Sequence, residues 1–152
     1  MAYQGSVLVV DDEIGPRESL RMILHPLYQV YTAANGEEAL AFLQKHDFDL
    51  VTLDMKMPGA SGLEILREIR KRKVDVDVVI ISGYLNSNNK EEVKQNGAVG
   101  VITKPFNVTD VIACVGKAVE NKKYHRKMES LVQAARNLGL TNSKKNEPSL
   151  FS

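Results

Sequence analysis

Ser6-Val7-Leu8-Val9-Val10-Asp11-Asp12-Glu13 sets a short apolar, β-branched run against a stop of three acids. A run of that length without alternation reads as a strand buried on both faces, as in a parallel sheet covered by helices. Two later stretches end in the same way. Asp49-Leu50-Val51-Thr52-Leu53 runs into Asp54, and Gly100-Val101-Ile102-Thr103 runs into Lys104-Pro105. If the three are neighbouring parallel strands, their ends bring three carboxylates and one ammonium into one crevice. Acids that close repel, and a divalent cation with phosphate chemistry built on it is the obvious reason for them.

Between these runs the chain alternates. Pro16 suits a first helical turn, with Leu20, Ile23 and Leu24 as a helical stripe. Tyr28–Ala33 reads as a more polar second strand. Asn35-Gly36 turns into a helix carrying Ala39, Leu40, Phe42 and Leu43, with Glu37 and Glu38 favouring its N-terminus. After Leu50–Asp54, Met57-Pro58-Gly59 breaks the pattern. Ser61 and Glu64 spell a capping box before Leu63, Ile65, Leu66 and Ile69. Val76–Ser82 is a fourth strand, Asn86–Asn96 a polar helix closed by Gly97, and Ala98–Thr103 a fifth strand. Five such strands alternating with helices require right-handed crossovers. The expectation is a three-layer α/β fold, (βα)5, with a flavodoxin-like, doubly wound parallel sheet in the order 2-1-3-4-5. Its ligand crevice lies at the carboxyl ends of strands one and three, where Asp11, Asp12 and Asp54 fall.

The last helix is long, from Val108 to about Leu138. Its first half shows Val108, Val111, Ile112, Val115 and Val119. Its second half repeats Tyr124, Met128, Leu131, Ala135 and Leu138 at spacings of 4, 3, 4 and 3, a heptad seam. That seam suits a coiled coil, or an amphipathic helix packed on its own domain or frayed in solvent. From Thr141 the chain is polar and reads as disordered.

Composition narrows the class. The chain has 152 residues, 43% of them hydrophobic, enough for one domain with an appendage. No apolar run reaches the roughly 20 residues of a membrane span, and the N-terminus lacks a signal-peptide core. The single Cys114 rules out an internal disulfide, suits a cytoplasmic location, and reads as core packing. The charge of +1 divides unevenly. Residues 1–116 hold 12 Lys+Arg against 16 Asp+Glu, while residues 117–152 hold 8 against 3. The basic stretch has neither aromatic interleaving nor a nucleic-acid motif, so its charges read as a solvated helical face and direct nucleic-acid binding is not expected. His25, His46 and His125 lack metal-ligand spacing.

Hard carboxylate oxygens suit Mg²⁺, with Mn²⁺ as a substitute. Asp12 and Asp54 read as direct ligands and Asp11 as a direct or water-mediated one, with the backbone carbonyl of Lys56 as a further donor. A third acid beyond the two that hold a metal suggests a nucleophile. Asp54, on the central strand between the acid pair and the Ser82/Lys104 side, is the best placed. Lys104 and the Ser82 hydroxyl would then hold phosphoryl oxygens. Singly, each feature has an ordinary explanation. Asp-Asp caps helices, Lys-Pro makes turns, and Ser82-Gly83 is unspecific. In order, on the ends of the correct strands, they read as one site.

Asp11-Asp12, Asp54 followed by Pro58-Gly59, Ser82, and Lys104-Pro105-Phe106 together resemble the CheY-like receiver domain of bacterial two-component response regulators, over roughly Ser6 to Lys122. The resemblance implies that Asp54 accepts a phosphoryl group from a sensor histidine kinase or a phosphotransfer protein. It implies that Asp11 and Asp12 hold Mg²⁺, that Ser82 is the switch hydroxyl, that Lys104 contacts the phosphoryl group, and that the Lys104-Pro105 bond is cis. It implies a phosphoacceptor that assists its own phosphorylation and dephosphorylation without turning over a separate substrate. Many such domains carry Tyr or Phe three residues before the lysine, where this chain has Val101. Tyr84 is a partial substitute by position, and Lys56 is placed to tune phosphoryl lifetime. The expected organisation is a receiver at 1–122, a helical extension at 123–139 and a tail at 140–152. A homodimer would use the helix four, strand five and helix five face together with the C-terminal helix. Alternatively the chain is the receiver fragment of an enhancer-binding transcription regulator, whose dimerising linker the seam resembles. A Mg²⁺-dependent phosphatase of the haloacid dehalogenase type would need its two aspartates one residue apart, and Asp11-Asp12 lacks that spacing. An FMN carrier of the same fold would need a Ser/Thr/Gly-rich phosphate loop where this chain puts repelling acids.

Overall fold

In a computed structural model describing residues 2–140, strands and helices alternate throughout. The elements are β1 (Ser6–Val10), α1 (Ile14–Leu24), β2 (Gln29–Ala33), α2 (Gly36–Lys45), β3 (Leu50–Asp54), α3 (Gly62–Lys71), β4 (Asp77–Ser82), α4 (Ser87–Gln95), β5 (Ala98–Thr103) and α5 (Val108–Asn137). The sheet is parallel throughout, in the order β2-β1-β3-β4-β5, as the alternation required. The expected disorder after Thr141 lies outside the described residues.

Polar caps start four of the helices. The side chains of Asn35, Ser61, Asn86 and Asn107 accept from backbone N–H groups of α2, α3, α4 and α5. The box spelled by Ser61 and Glu64 shows its first half, Glu64 N–H to Ser61 Oγ at 3.3 Å. At α2 a reciprocal pair closes more fully. Glu38 N–H donates to Asn35 Oδ1, and the Glu38 carboxylate accepts from Ala34 N–H at 2.7 Å.

Each strand sends alternate side chains to opposite faces. Leu8, Val10, Val51, Leu53, Val78 and Ile80 join the core beneath α2, α3 and α4. Val7, Val9, Leu50, Val79 and Ile81 join the core beneath α1 and α5, with Leu20, Leu24, Val111 and Val115. Cys114 packs at the margin of that second core, and burial raises its thiol pKa. By the same alternation Asp11, Thr52 and Asp54 belong to the α1/α5 side, whereas Ser82 follows Val78 and Ile80 onto the other.

α5 is continuous for 30 residues, about 45 Å at the helical rise. Gly139 closes it in the left-handed conformation (φ +71°), with Gly139 N–H bonded to Arg136 O and Leu140 N–H to Ala135 O. Of the five residues of its heptad seam, Tyr124, Leu131 and Leu138 are exposed, and Met128 and Ala135 are half-buried. The opposite side of the helix does return to the body, through Lys122 and Arg126. Among the described residues no helix is long and apolar enough to cross a membrane.

Candidate functional site

The carboxyl ends of β1, β3 and β5 deliver the expected residues to one place. Lys104 Nζ donates to Asp11 Oδ2 at 2.9 Å and to Asp54 Oδ1 at 3.3 Å. Asp11 and Asp54 are nearly sealed from solvent, at 1% and 4% exposure. Asp12 is the most open of the three acids. Asp11 Oδ1 also accepts from Glu13 N–H at 2.9 Å, so it shapes the entry to α1, while Glu13, the residue at the N-cap, makes no side-chain cap bond. The Arg17 guanidinium donates to the Asp11 backbone oxygen at 2.8 Å and ties α1 to that turn.

Backbone contacts carry the ladder past the strand ends. Met55 N–H bonds to Ile81 O, and Lys104 N–H bonds to Ser82 O at 2.8 Å. The Lys104-Pro105 bond is cis. Gly62 permits α3 to start against the end of β3. A Cβ there would sit 2.3 Å from Asp54 O and 2.8 Å from Met55 Cα. That approach folds the 55–61 loop back beside Asp54.

The electrostatics are unbalanced. Burial first, and the Asp11 charge second, raise the Asp54 carboxyl above its usual range. Lys104 and the Lys56 backbone N–H oppose the shift without cancelling it. Burial works against the Lys104 ammonium, yet Asp11 and Asp54 outweigh it and raise its pKa. Three carboxylates against one ammonium leave two formal negative charges.

Those residues fit a divalent cation. One carboxylate oxygen from each of Asp11, Asp12 and Asp54 lies within 4.8 Å of the others. Among the described residues Asp12 Oδ1 is buried with no hydrogen-bond partner, a state that a cation would relieve. All the donors are hard oxygens, which Mg²⁺ and Mn²⁺ prefer.

Ser82 stands apart from this cluster. Its hydroxyl donates to Tyr84 O at 2.9 Å and accepts from Tyr84 N–H at 3.2 Å, so it is turned into its own loop. Tyr84 contributes backbone to that turn while its side chain is 72% exposed. Val101 is partly exposed on β5, beside Val99. Lys56 meets Asp54 through its backbone N–H. His46 stacks with Tyr31, Phe42 and Phe48, which is a packing role.

Sequence reading missed a second charged cluster, at the amino ends of β3 and β4. Arg126 of α5 donates to Asp49 Oδ1, Asp75 Oδ2, Phe48 O and Asp75 O. Lys122 pairs with Asp75 and Asp77. Lys122 and Arg126 are four residues apart, so they share one helical face, but nothing local announced their acidic partners.

The family model for the response regulator receiver domain matches residues 7–116. The cell cycle transcriptional regulator CtrA of Caulobacter vibrioides is 31% identical over 120 residues, covering 78% of this chain and 52% of that protein. This chain therefore spans about half the length of that relative. Sporulation initiation phosphotransferase F of Bacillus subtilis is 37% identical over 112 residues, covering 73% of this chain and 90% of that protein. Among solved structures, a CheY-like response regulator receiver domain from Methanospirillum hungatei superposes with a TM-score of 0.74 at 27% identity. That match covers 79% of this chain and 97% of the other.

Proposed function

This chain belongs to the response regulator receiver family, and on that premise we propose that Asp54 is its phosphoacceptor. The observation that carries the assignment is the Lys104 ammonium bridging Asp11 and Asp54, which aims a fixed positive charge at the nucleophile's own oxygen. In the transfer, an Asp54 carboxylate oxygen forms a bond to phosphorus. The phosphorus–nitrogen bond of a donor phosphohistidine breaks, and its electron pair returns to the imidazole. Burial keeps Asp54 more basic than an ordinary aspartate, which favours attack. Lys104 answers the charge the phosphoryl group brings.

Asp11, Asp12 and Asp54, with the Lys56 backbone carbonyl, would hold Mg²⁺, and Mn²⁺ would substitute. When bound, the ion neutralises the phosphoryl oxygens and aligns them for in-line transfer. Ser82 is the switch hydroxyl. Its bonds to Tyr84 describe the resting arrangement, and a phosphoryl group on Asp54 competes for that hydroxyl. The result is a population shift between two loop states. No separate substrate is turned over.

The donor is a sensor histidine kinase or a phosphotransfer protein, in the cytoplasm. The output surface combines the α4–β5–α5 face, where Val99 and Val101 line a groove with Val93 and Lys90, and the extension beyond residue 122. A second copy is the partner proposed for the outward seam of Tyr124, Leu131 and Leu138. Reading the chain as the receiver of a longer, enhancer-binding transcription regulator is favoured by one observation. The extension is a capped helix with an exposed heptad seam, as a dimerising linker needs.

The test is phosphoryl uptake from a small phosphodonor, followed by intact mass. Wild type should gain one phosphoryl group with Mg²⁺ and none after chelation, and Asp54→Asn should gain none. Equal uptake by Asp54→Asn would sink the assignment. Solution mass of the full chain, with and without phosphorylation, tests the dimer. A monomer in both conditions removes it.

A further inference from the structure

The cluster at the far end of the sheet is fastened to the two strands that carry the chemistry. β3 begins beside Asp49 and ends at Asp54. β4 begins at Asp77 and ends at Ser82. Arg126 holds the β3 end through Asp49 Oδ1 and Phe48 O, the latter at 2.9 Å. It holds the β4 approach through Asp75 O at 2.7 Å and Asp75 Oδ2 at 3.1 Å. Lys122, whose side chain is only 12% exposed, adds Asp75 and Asp77. Asp49 also accepts Ser6 N–H at 2.9 Å, which brings in the start of β1.

We infer that this node is a coupling device through which the state of the Asp54 site reaches the α5 extension. Two features support it. A guanidinium binds through a rigid planar fork, so it is satisfied by one relative position of the β3 and β4 ends and not by a range of them. The strand residues between the two ends, Val51, Leu53, Val78, Val79 and Ile80, are fully buried and paired, and close-packed cores pass displacement on in preference to absorbing it. A phosphoryl group on Asp54 that draws Ser82 inward changes the relation of β3 to β4. The node then loosens, and the helix beyond Lys122 is released. Arg126 faces the body while the seam faces away, so the node also sets which side of the extension a partner meets.

This inference rests on Asp54 being the phosphoacceptor. The test is hydrogen–deuterium exchange of the full chain over amides 122–130, before and after treatment with a small phosphodonor and Mg²⁺, with phosphoryl content read by intact mass. In wild type, phosphorylation should speed exchange there at least threefold. Arg126→Ala should show the faster exchange without phosphorylation and little further change with it. Asp75→Asn, which alters only an exposed side chain, should move in the same direction and stands in if Arg126→Ala folds poorly. Arg126→Lys, which keeps charge without the fork, should not restore the wild-type response. Full phosphorylation with unchanged exchange, or variants whose response to phosphorylation equals that of wild type, overturns the coupling alone. Absence of any phosphoryl gain overturns the phosphoacceptor reading, and the coupling with it.

Discussion

The two ends of this sheet use the same residue types to opposite effect. At the carboxyl end, Asp11, Asp12 and Asp54 face Lys104, one buried carboxylate oxygen has no partner among the described residues, and the Asp54 carboxyl is raised. At the amino end, Asp49, Asp75 and Asp77 face Lys122 and Arg126. There the Lys122 and Arg126 side chains hold the Asp75 carboxyl below its usual range. One end is left electrostatically unfinished, which suits the cation and phosphoryl group proposed for it. The other is complete, so it holds elements together. Charge is a site where its partners are missing and a fastening where they are present.

The contrast can be broken by mutation. Its largest effect should come from Arg126→Ala, which strands the buried Asp49 carboxylate. A loss of about 2 kcal/mol in urea unfolding is expected, below the roughly 3–5 kcal/mol for breaking a fully buried pair, since Arg126 keeps about a third of its side chain in solvent. A loss near zero would demote the amino-end cluster to a surface pairing. Mg²⁺ should act only at the other end. At a free concentration tenfold above its dissociation constant it should add about 1.4 kcal/mol, and Asp12→Asn should weaken that response. An equal gain in Asp12→Asn would place the ion elsewhere.

Asp54→Asn should stabilise the metal-free protein by about 1 kcal/mol, the reverse of the sign expected for Asp49→Asn. The pH dependence sharpens this. The Asp54 carboxyl is raised on folding from 3.8, so its ionisation subtracts stability as pH climbs through the folded value. The Asp75 carboxyl is lowered from 3.8, so it adds stability at neutral pH that is lost as pH falls through its folded value. The gain from Asp54→Asn should therefore be present at pH 7 and vanish toward pH 3. A gain of the same size at both pH values would mean that charge is not its source. The smallest effect belongs to Thr52→Val. Thr52 is 1% exposed, two residues below Asp54, and its hydroxyl has no partner among the described residues. Its removal should leave stability unchanged or raise it by up to about 1 kcal/mol in the same urea assay. A clear loss would reveal a buried water bound there.

The asymmetry explains what could be read in advance. Asp11, Asp54 and Lys104 were legible because each closes an apolar run, and strand order alone brings such ends together. The length of α5 was legible from its apolar stripe, which runs from Val108 to Leu138. Strand starts slipped by one residue, at Gln29 and Asp77 in place of Tyr28 and Val76. Tyr28 and Val76 are buried as the chain enters each strand, so an apolar pattern counts them in. Arg126 was not legible. Its partner Asp49 lies 77 residues away, and on a basic helix it looks like one more solvated charge. The bonds of Ser82 to Tyr84 were hidden for a different reason. A hydroxyl can serve its own loop or a ligand, and spacing does not choose between them.

The stop at Gly139 gives the last helix a definite reach. From Arg126 to Asn137 the rod projects about 17 Å past its anchoring point. A tilt of about 10° at the anchor would then sweep the far tip through about 3 Å, by the geometry of a rigid arm of that length. The arm turns a small hinge motion into a displacement as large as a side chain's width, delivered well away from the Asp54 crevice.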